Sequence, residues 1–104
     1  MAKLVEVART GQIPPEHGLN VRLATRNVAL FNVDGDFFAV EGECIRCASL
    51  LASGTVAGVE VACPACGWRY DVTTGRLPEI PKLYVDTFVV EVIGSRILVC
   101  NPYG

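Results

Sequence analysis

Alternating apolar and polar positions divide much of this chain into short segments that are typical of β-strands. β-Branched and aromatic residues recur at about every second place in segments 4–9, 21–33, 87–93 and 96–99. No segment keeps a helical period of apolar residues through three turns. The pattern therefore predicts an all-β domain built from short antiparallel strands, a small sandwich or barrel.

Turn residues between these segments indicate where the strands connect. Asp34-Gly35 separates two apolar segments and favours a two-residue hairpin turn, because both of its positions tolerate a positive φ. Gly94-Ser95 predicts a second hairpin of type II′, in which glycine takes the first turn position. Thr73-Thr74-Gly75 is a further turn cluster. Segments 14–15 and 78–81 contain prolines, which cannot donate to a central ladder, so both are predicted to be surface connections.

Composition limits the class of protein. With 104 residues, 51% hydrophobic and 19% charged, the chain is expected to form one compact domain over residues 1–104. Its basic residues are scattered and the net charge is −2, which argues against a nucleic-acid partner. The first residues lack the apolar run of a signal peptide, and no long apolar stretch predicts a membrane span. We therefore expect a cytoplasmic monomer without a membrane partner.

Four of the five cysteines form two C-x-x-C pairs, Cys44 with Cys47 and Cys63 with Cys66. Two such knuckles can close on one tetrahedral ion, because zinc or a single iron accepts four thiolates without another ligand. In a reducing compartment, paired cysteines are more often metal ligands than disulfides. The sequence thus predicts a metal-binding insertion between residues 43 and 69, whereas Cys100 at a strand end is expected to be a small core residue.

The residues around these pairs carry a family resemblance. The run VALFNVDGDFFAV at 28–40, then Cys44, Gly54 and the run CPACGWRYDVTTG at 63–75, resembles a Rieske-type ferredoxin over essentially the whole domain. The resemblance implies an antiparallel scaffold of Rieske type with a rubredoxin-like metal-binding subdomain, a 2Fe-2S cluster, and electron transfer to ring-hydroxylating oxygenases. It matches Cys44 and Cys63 to the two family cysteines. It also implies a role around the cluster for Gly67, Trp68 and Tyr70, with Tyr70 donating a hydrogen bond to a sulfur.

The ligand positions depart from the family pattern. Arg46 and Cys66 stand where the family has its two histidines, and the only histidine, His17, lies before both loops. A cluster with two imidazole ligands therefore cannot be built. Because Cys47 lies one position beyond the lost histidine, the two loops become matched knuckles. We expect a mononuclear four-cysteine iron site of rubredoxin type; a four-cysteine 2Fe-2S cluster and a zinc site remain open as alternatives.

Arg46 lies within the first knuckle. Its charge would offset part of the negative charge of four thiolates, or else the side chain is simply solvated.

The resemblance therefore implies a one-electron carrier, the ferredoxin component of an oxygenase system and not an enzyme. Its partners would be a reductase and a terminal oxygenase, docking on the loop tips. The alternative is a non-redox structural or partner-binding module held by zinc; a Rieske scaffold redesigned only at its ligands is a third interpretation. The predicted docking residues are Ile45, Arg46, Pro64 and Ala65, with Leu50 and Leu51 adding apolar contact.

Overall fold

The computed structural model describes residues 3–101, which form antiparallel strands and two short 3₁₀ turns, Thr10–Gln12 and Leu51–Ser53. No α-helix occurs between residues 3 and 101. The prediction of an all-β fold is confirmed. The strands are β1 Lys3–Arg9, β2 His17–Leu23, β3 Arg26–Val33, β4 Asp36–Glu41, β5 Thr55–Ala57, β6 Glu60–Ala62, β7 Arg69–Asp71, β8 Arg76–Leu77, β9 Ile80–Tyr84, β10 Thr87–Phe88, β11 Val90–Ile93 and β12 Arg96–Asn101.

Residues 3–101 form four antiparallel sheets. The central sheet has the order β10-β4-β3-β2, and the outer sheet has the order β1-β12-β11. The knuckle sheet, β5-β6-β7, lies within the predicted insertion and the strand that follows it, and β8 pairs with β9 in a two-stranded ribbon. No helix within residues 3–101 has the length and apolar character needed to cross a membrane.

Strand β3 is buried along both of its faces. Its side chains alternate, because successive residues of a strand point to opposite sides of the sheet. Val28 and Leu30 join one core cluster with Ile97 and Val99 of the outer sheet. Ala29 and Phe31 join a second cluster that contains two of the paired cysteines and residues of the knuckle sheet. The central sheet is therefore the layer that supports the cysteine loops.

Both predicted hairpins are present. Asp34 (φ 51°) and Gly35 (φ 93°) turn β3 into β4, with Val33 paired to Asp36. Gly94 (φ 62°) turns β11 into β12, with Ile93 paired to Arg96. These predictions are confirmed because each turn depends on residues that tolerate a positive φ.

A third hairpin lies inside segment 21–33, which the alternating sequence pattern predicts as one continuous strand. Ala24 takes a φ of 55° and turns β2 into β3, where Leu23 pairs with Arg26. The pattern misses this turn because alanine is not a residue that favours positive φ. His17 is the first residue of β2.

The proline segment also differs from prediction. Residues 78–81 are expected to be a connection, but Ile80–Tyr84 forms β9 and includes Pro81. The register pairs Leu77 with Ile80 and Arg76 with Tyr84, so Pro81 lies opposite an irregularity in a two-stranded ribbon. Proline has no backbone N–H, and it is tolerated there because the irregular pairing does not require an N–H donor at this position.

Gly54 brings the connection between the two cysteine pairs against the strand that leads to Cys63. A β-carbon at Gly54 would lie 2.0 Å from the carbonyl oxygen of Ala62, so no larger residue fits without movement of the backbone. On the other side, Glu43 forms an isolated bridge with Leu50. The bridge closes the base of the first cysteine loop, and the contact of Gly54 packs the connection against the strand that enters the second.

Candidate metal centre

The first knuckle, residues 44–49, is a tight turn closed by its own backbone. The Ala48 N–H donates to the Cys44 carbonyl oxygen at 2.9 Å, and the Cys44 N–H donates to the Ser49 carbonyl oxygen at 2.9 Å. Inside this turn, the N–H groups of Arg46 and Cys47 donate to the Cys44 sulfur. The turn therefore fixes two sulfurs on one side of the loop.

The second knuckle, residues 63–68, repeats this arrangement. The Gly67 N–H donates to the Cys63 carbonyl oxygen at 3.0 Å, and the Cys63 N–H donates to the Trp68 carbonyl oxygen at 2.8 Å. The N–H groups of Cys66 and Ala65 donate to the Cys63 sulfur. The two knuckles share one hydrogen-bond pattern although only their cysteines are identical.

The fifth residue of each knuckle has a left-handed backbone conformation. Gly67 has a φ of 78°, and Ala48, at the corresponding place in the first knuckle, has a φ of 63°. Glycine adopts this conformation without steric cost, whereas alanine is strained by its β-carbon. The first knuckle therefore forms its turn although alanine disfavours the left-handed conformation that Ala48 adopts.

The four cysteine sulfurs converge in one place. All four lie within 4.8 Å of one another. Two contacts cross between the knuckles: Cys44 to Cys66 at 3.7 Å, and Cys47 to Cys63 at 3.5 Å. A tetrahedral ion with metal–sulfur bonds of about 2.3 Å places its sulfurs about 3.8 Å apart. The donor set therefore has the size and chemistry of a site for one thiophilic ion.

The sulfurs differ in burial. Cys44 and Cys63, the first residue of each knuckle, are each 3% exposed, whereas Cys66 is half-buried and Cys47 is exposed. The first two belong to the core cluster beneath the knuckles. One side of the centre is thus closed by the protein, and the other reaches the surface through Cys47.

Tyr70 of β7 reaches the first knuckle from below. Its hydroxyl lies 3.0 Å from the Cys44 sulfur and accepts the Ile45 N–H at 3.2 Å. Burial raises the pKa of the Cys44 thiol, but hydrogen bonds from Tyr70 and from backbone N–H groups outweigh it and leave this pKa below its ordinary value. Burial and the contact with Cys44 raise the pKa of Tyr70, so its hydroxyl stays a donor.

The remaining shifted thiols move in opposite directions. Burial raises the pKa of Cys63 to about 11, against the hydrogen bonds from its own knuckle. Hydrogen bonds from the hydroxyl and N–H of Ser49 lower the pKa of Cys47 to about 6. Of these two thiols, the exposed Cys47 therefore ionises more readily than the buried Cys63.

Arg46 and Trp68 connect the outer surfaces of the two knuckles. The guanidinium carbon of Arg46 lies 5.3 Å from the centroid of the Trp68 ring. This distance is within the range of a cation–π contact. Arg46 is exposed, and its charge stacks on the Trp68 ring.

A sequence comparison decides the family. The profile of the Rieske [2Fe-2S] domain matches residues 3–88. The chain belongs to this family. Among relatives of the Rieske domain, it is 29% identical over 98 residues to the ferredoxin component of the naphthalene 1,2-dioxygenase system of Pseudomonas aeruginosa, covering 93% of this chain and 94% of the relative. It is 31% identical over 90 residues to the biphenyl dioxygenase ferredoxin subunit of Pseudomonas sp. (strain KKS102), covering 85% and 83%.

Solved structures of ferredoxin systems have the same fold. The ferredoxin of carbazole 1,9a-dioxygenase from Nocardioides aromaticivorans IC177 superposes with a TM-score of 0.83 at 28% identity, covering 92% of this chain and 95% of that one. A chain from the complex of reduced oxygenase and oxidised ferredoxin in carbazole 1,9a-dioxygenase superposes with a TM-score of 0.81 at 26% identity, covering 92% and 91%.

The residues do not fit a Rieske cluster with two histidine ligands, in which two imidazoles replace two thiolates on one iron. His17 is an exposed residue whose Nδ1 lies 3.0 Å from the Pro15 carbonyl oxygen, and it is not part of the sulfur group. Arg46 and Cys66 stand at the two histidine positions. Within residues 3–101, the group that could hold a metal in this Rieske domain is instead four thiols.

Two features of the centre differ from what the sequence suggests. Leu51, predicted to add apolar contact at the docking face, is fully buried in the core, while Leu50 is exposed. The alternation of apolar and polar residues could not show which of the two leucines is buried, because Leu50 lies in a loop and Leu51 begins a 3₁₀ turn. Ser49 is absent from the predicted site. Aligning the knuckles CIRCAS and CPACGW would have found it, since Ser49 then stands opposite Trp68.

Proposed function

We propose that this Rieske-family protein is a one-electron carrier of ferredoxin type whose centre is a single iron held by Cys44, Cys47, Cys63 and Cys66. One observation carries the proposal: four sulfurs within 4.8 Å of one another, on two knuckles of the same geometry. Residues 43–69 would be the metal-binding part of one domain over 1–104. When bound, the iron would supply a one-electron redox couple.

The spacing of the sulfurs favours one ion over two. A 2Fe-2S cluster needs its ligand pairs on two metal atoms separated by bridging sulfides, which moves the pairs apart. Here all four sulfurs lie within 4.8 Å of one another, so no pair is set apart from the other. A single close group of four sulfurs suits one tetrahedral ion.

The protein residues have supporting roles in electron transfer. The burial of Cys44 and Cys63 excludes water from one side, and the Tyr70 hydroxyl stabilises negative charge on Cys44. Arg46 places a positive charge over Trp68, beside the centre. Electrons would enter and leave at the exposed side, near Cys47.

A four-cysteine 2Fe-2S cluster is the second candidate, because the family match is to a 2Fe-2S domain. It would serve the same electron-carrying function with a different centre. A zinc ion in the four-thiolate site would instead make this a structural or partner-binding module, since zinc has no redox chemistry.

The relatives suggest the partners. The two named relatives from naphthalene and biphenyl dioxygenase systems are ferredoxin components, so we propose a carrier between a reductase and a terminal oxygenase and not an enzyme. The proposed docking face consists of Ile45, Arg46, Pro64 and Ala65, which are all exposed; Ile45 is 47% exposed. A weak encounter over a small area suits such a carrier. A cytoplasmic location and a monomeric state stay predictions.

Metal and sulfide analysis with an absorption spectrum tests the centre. We expect one iron for each chain, no acid-labile sulfide, and a colour that is lost reversibly on reduction by one electron. Two irons with two sulfides would favour the second candidate. A colourless protein with one zinc would reject electron transfer.

Electron self-exchange between two copies tests the docking face without an identified partner. Ala65→Glu adds a negative charge at the loop tip, while Ser95→Glu adds the same charge at the hairpin of the outer sheet. We expect Ala65→Glu to slow self-exchange at low salt more than Ser95→Glu does, because like charges at the contact repel. Equal effects would contradict the proposed face.

A further inference from the structure

Ser49 contacts both cysteines of the first knuckle. Its hydroxyl oxygen lies 3.5 Å from the Cys47 sulfur, and its backbone N–H donates to the same sulfur. Its carbonyl oxygen accepts the Cys44 N–H at 2.9 Å, which fixes the backbone of Ser49 against the turn. With Cys47 as a thiol, its S–H donates to the Ser49 hydroxyl oxygen. Once Cys47 is a thiolate it has no proton to donate, so the hydroxyl becomes the donor.

The second knuckle has no such donor. Trp68 stands at the place of Ser49, and its carbonyl oxygen accepts the Cys63 N–H in the same way. Its side chain carries no hydroxyl and instead stacks with Arg46. In the described part of the chain, the two hydroxyl groups in contact with sulfurs, those of Tyr70 and Ser49, both serve the first knuckle.

A hydroxyl donor at a thiolate matters for electron transfer. Hydrogen bonds to charged groups are stronger than those between neutral groups, and donors around metal ligands tune the metal. One added electron increases the negative charge shared by the sulfurs, so a fixed donor stabilises the reduced state more than the oxidised state. Cys47 is exposed, so its donor has to compete with water, which moderates the effect.

We propose that Ser49 is a positioning residue of the metal centre, whose hydroxyl donates to the Cys47 thiolate and raises the reduction potential. The inference rests on the proposed function. One electron is gained without any bond forming or breaking, and the hydroxyl proton stays on Ser49.

The test compares Ser49→Ala with Ser49→Thr in the iron-loaded protein. Ser49→Ala removes the hydroxyl, and we expect a lower reduction potential, with the ratio of reduced to oxidised protein falling up to tenfold, about 59 mV for one electron. Ser49→Thr keeps a hydroxyl and should restore most of the potential. Ser53→Ala is the matched control, because Ser53 lies on the same connection and makes no hydrogen bond to a sulfur.

A second measurement uses cobalt(II) in place of iron and does not depend on a redox couple. Losing a donor raises the energy of the sulfur lone pairs, so the sulfur-to-cobalt charge-transfer bands of Ser49→Ala should shift to longer wavelength. Those of Ser49→Thr and Ser53→Ala should not. This measurement also decides the role of Ser49 if the alanine variant holds iron too weakly for a redox titration.

The outcomes separate this inference from the proposed function. An unchanged potential and unchanged cobalt bands in Ser49→Ala, with an intact couple in the wild-type protein, would overturn the role of Ser49 alone. A threonine variant that behaves like alanine would also overturn it, because the effect would then not come from the hydroxyl. A wild-type protein without a one-electron couple would overturn both.

Discussion

The two cysteine knuckles present the same backbone with different side chains. In each, the first cysteine is buried, accepts two N–H groups at its sulfur, and donates its own N–H five residues onward. The first knuckle then has Ala48 and Ser49 where the second has Gly67 and Trp68. Its second cysteine, Cys47, is exposed, whereas Cys66 is half-buried.

The comparison shows that the backbone and the side chains of the knuckles contribute different properties to the site. The shared hydrogen bonds set where the four sulfurs lie, because backbone donors hold a loop whatever its side chains are. The side chains that differ set the exposure and the charge of each sulfur. Hydroxyl donors and exposure are concentrated on the first knuckle, so it is the side that would respond to an added electron, and the second knuckle acts mainly as an anchor.

The largest expected effect comes from breaking the buried anchor. Cys63→Ser should abolish metal uptake and lower the free energy of unfolding by several kcal/mol, because structural metal binding contributes to folding. Cys47→Ser should weaken metal uptake less, because at this exposed position the serine hydroxyl or a water molecule can take the place of the lost thiolate. Metal analysis and denaturant unfolding measure both effects, with Cys100→Ser as the control that keeps its metal. Equal losses at positions 47 and 63 would contradict the asymmetry.

The thiols of the metal-free, reduced protein should react unequally. At pH 7 Cys47, with its pKa lowered to about 6, is mostly thiolate, while Cys63, with its pKa raised to about 11, is almost entirely thiol. Alkylation by iodoacetamide should modify Cys47 faster on the order of tenfold to a hundredfold, since the lower nucleophilicity of the more acidic thiol offsets part of the difference. Peptide mass mapping against time measures this, and the ratio should shrink as pH rises.

Tyr70→Phe should affect the first knuckle from its buried side. The change removes the donor to Cys44 and leaves the Ile45 N–H without its acceptor, which costs about 1–3 kcal/mol of stability. In the iron form, the ratio of reduced to oxidised protein at a given applied potential should fall about tenfold. Denaturant unfolding and redox titration measure the two effects. A variant with an unchanged potential would show that Tyr70 has only a structural role.

Exchanging the left-handed residues should give effects of opposite sign. Gly67→Ala places a β-carbon in open space at a φ of 78° and should cost about 1–2 kcal/mol of stability. Ala48→Gly relieves the same strain and should stabilise by less than about 1 kcal/mol, because glycine also gains entropy in the unfolded chain. Denaturant midpoints of both variants measure this. A shared sign would mean that the knuckles do not have equivalent backbones.

Local signals predict much of this fold. Asp34-Gly35 and Gly94-Ser95 mark their hairpins because a positive φ requires particular residues. The turn at Ala24 carries no such residue, and pairing between β2 and β3 stabilises it instead. Strand β9 likewise exists through pairing with β8 in spite of Pro81. Tertiary contacts form these two elements, so local propensity could not predict them.

The spacing of the four cysteines determined by itself that two matched loops would each offer two sulfurs, and the residues at the ligand positions determined that the histidines of a Rieske cluster are absent. Only the tertiary structure decided how those sulfurs meet: Cys47 against Cys63, Cys44 against Cys66, and Tyr70 reaching Cys44 across 26 residues of sequence. It also decided that Cys63 is buried and Cys47 exposed. Ligand spacing is a property of a short segment, whereas burial and contacts between loops depend on how the central sheet and the knuckle sheet pack together.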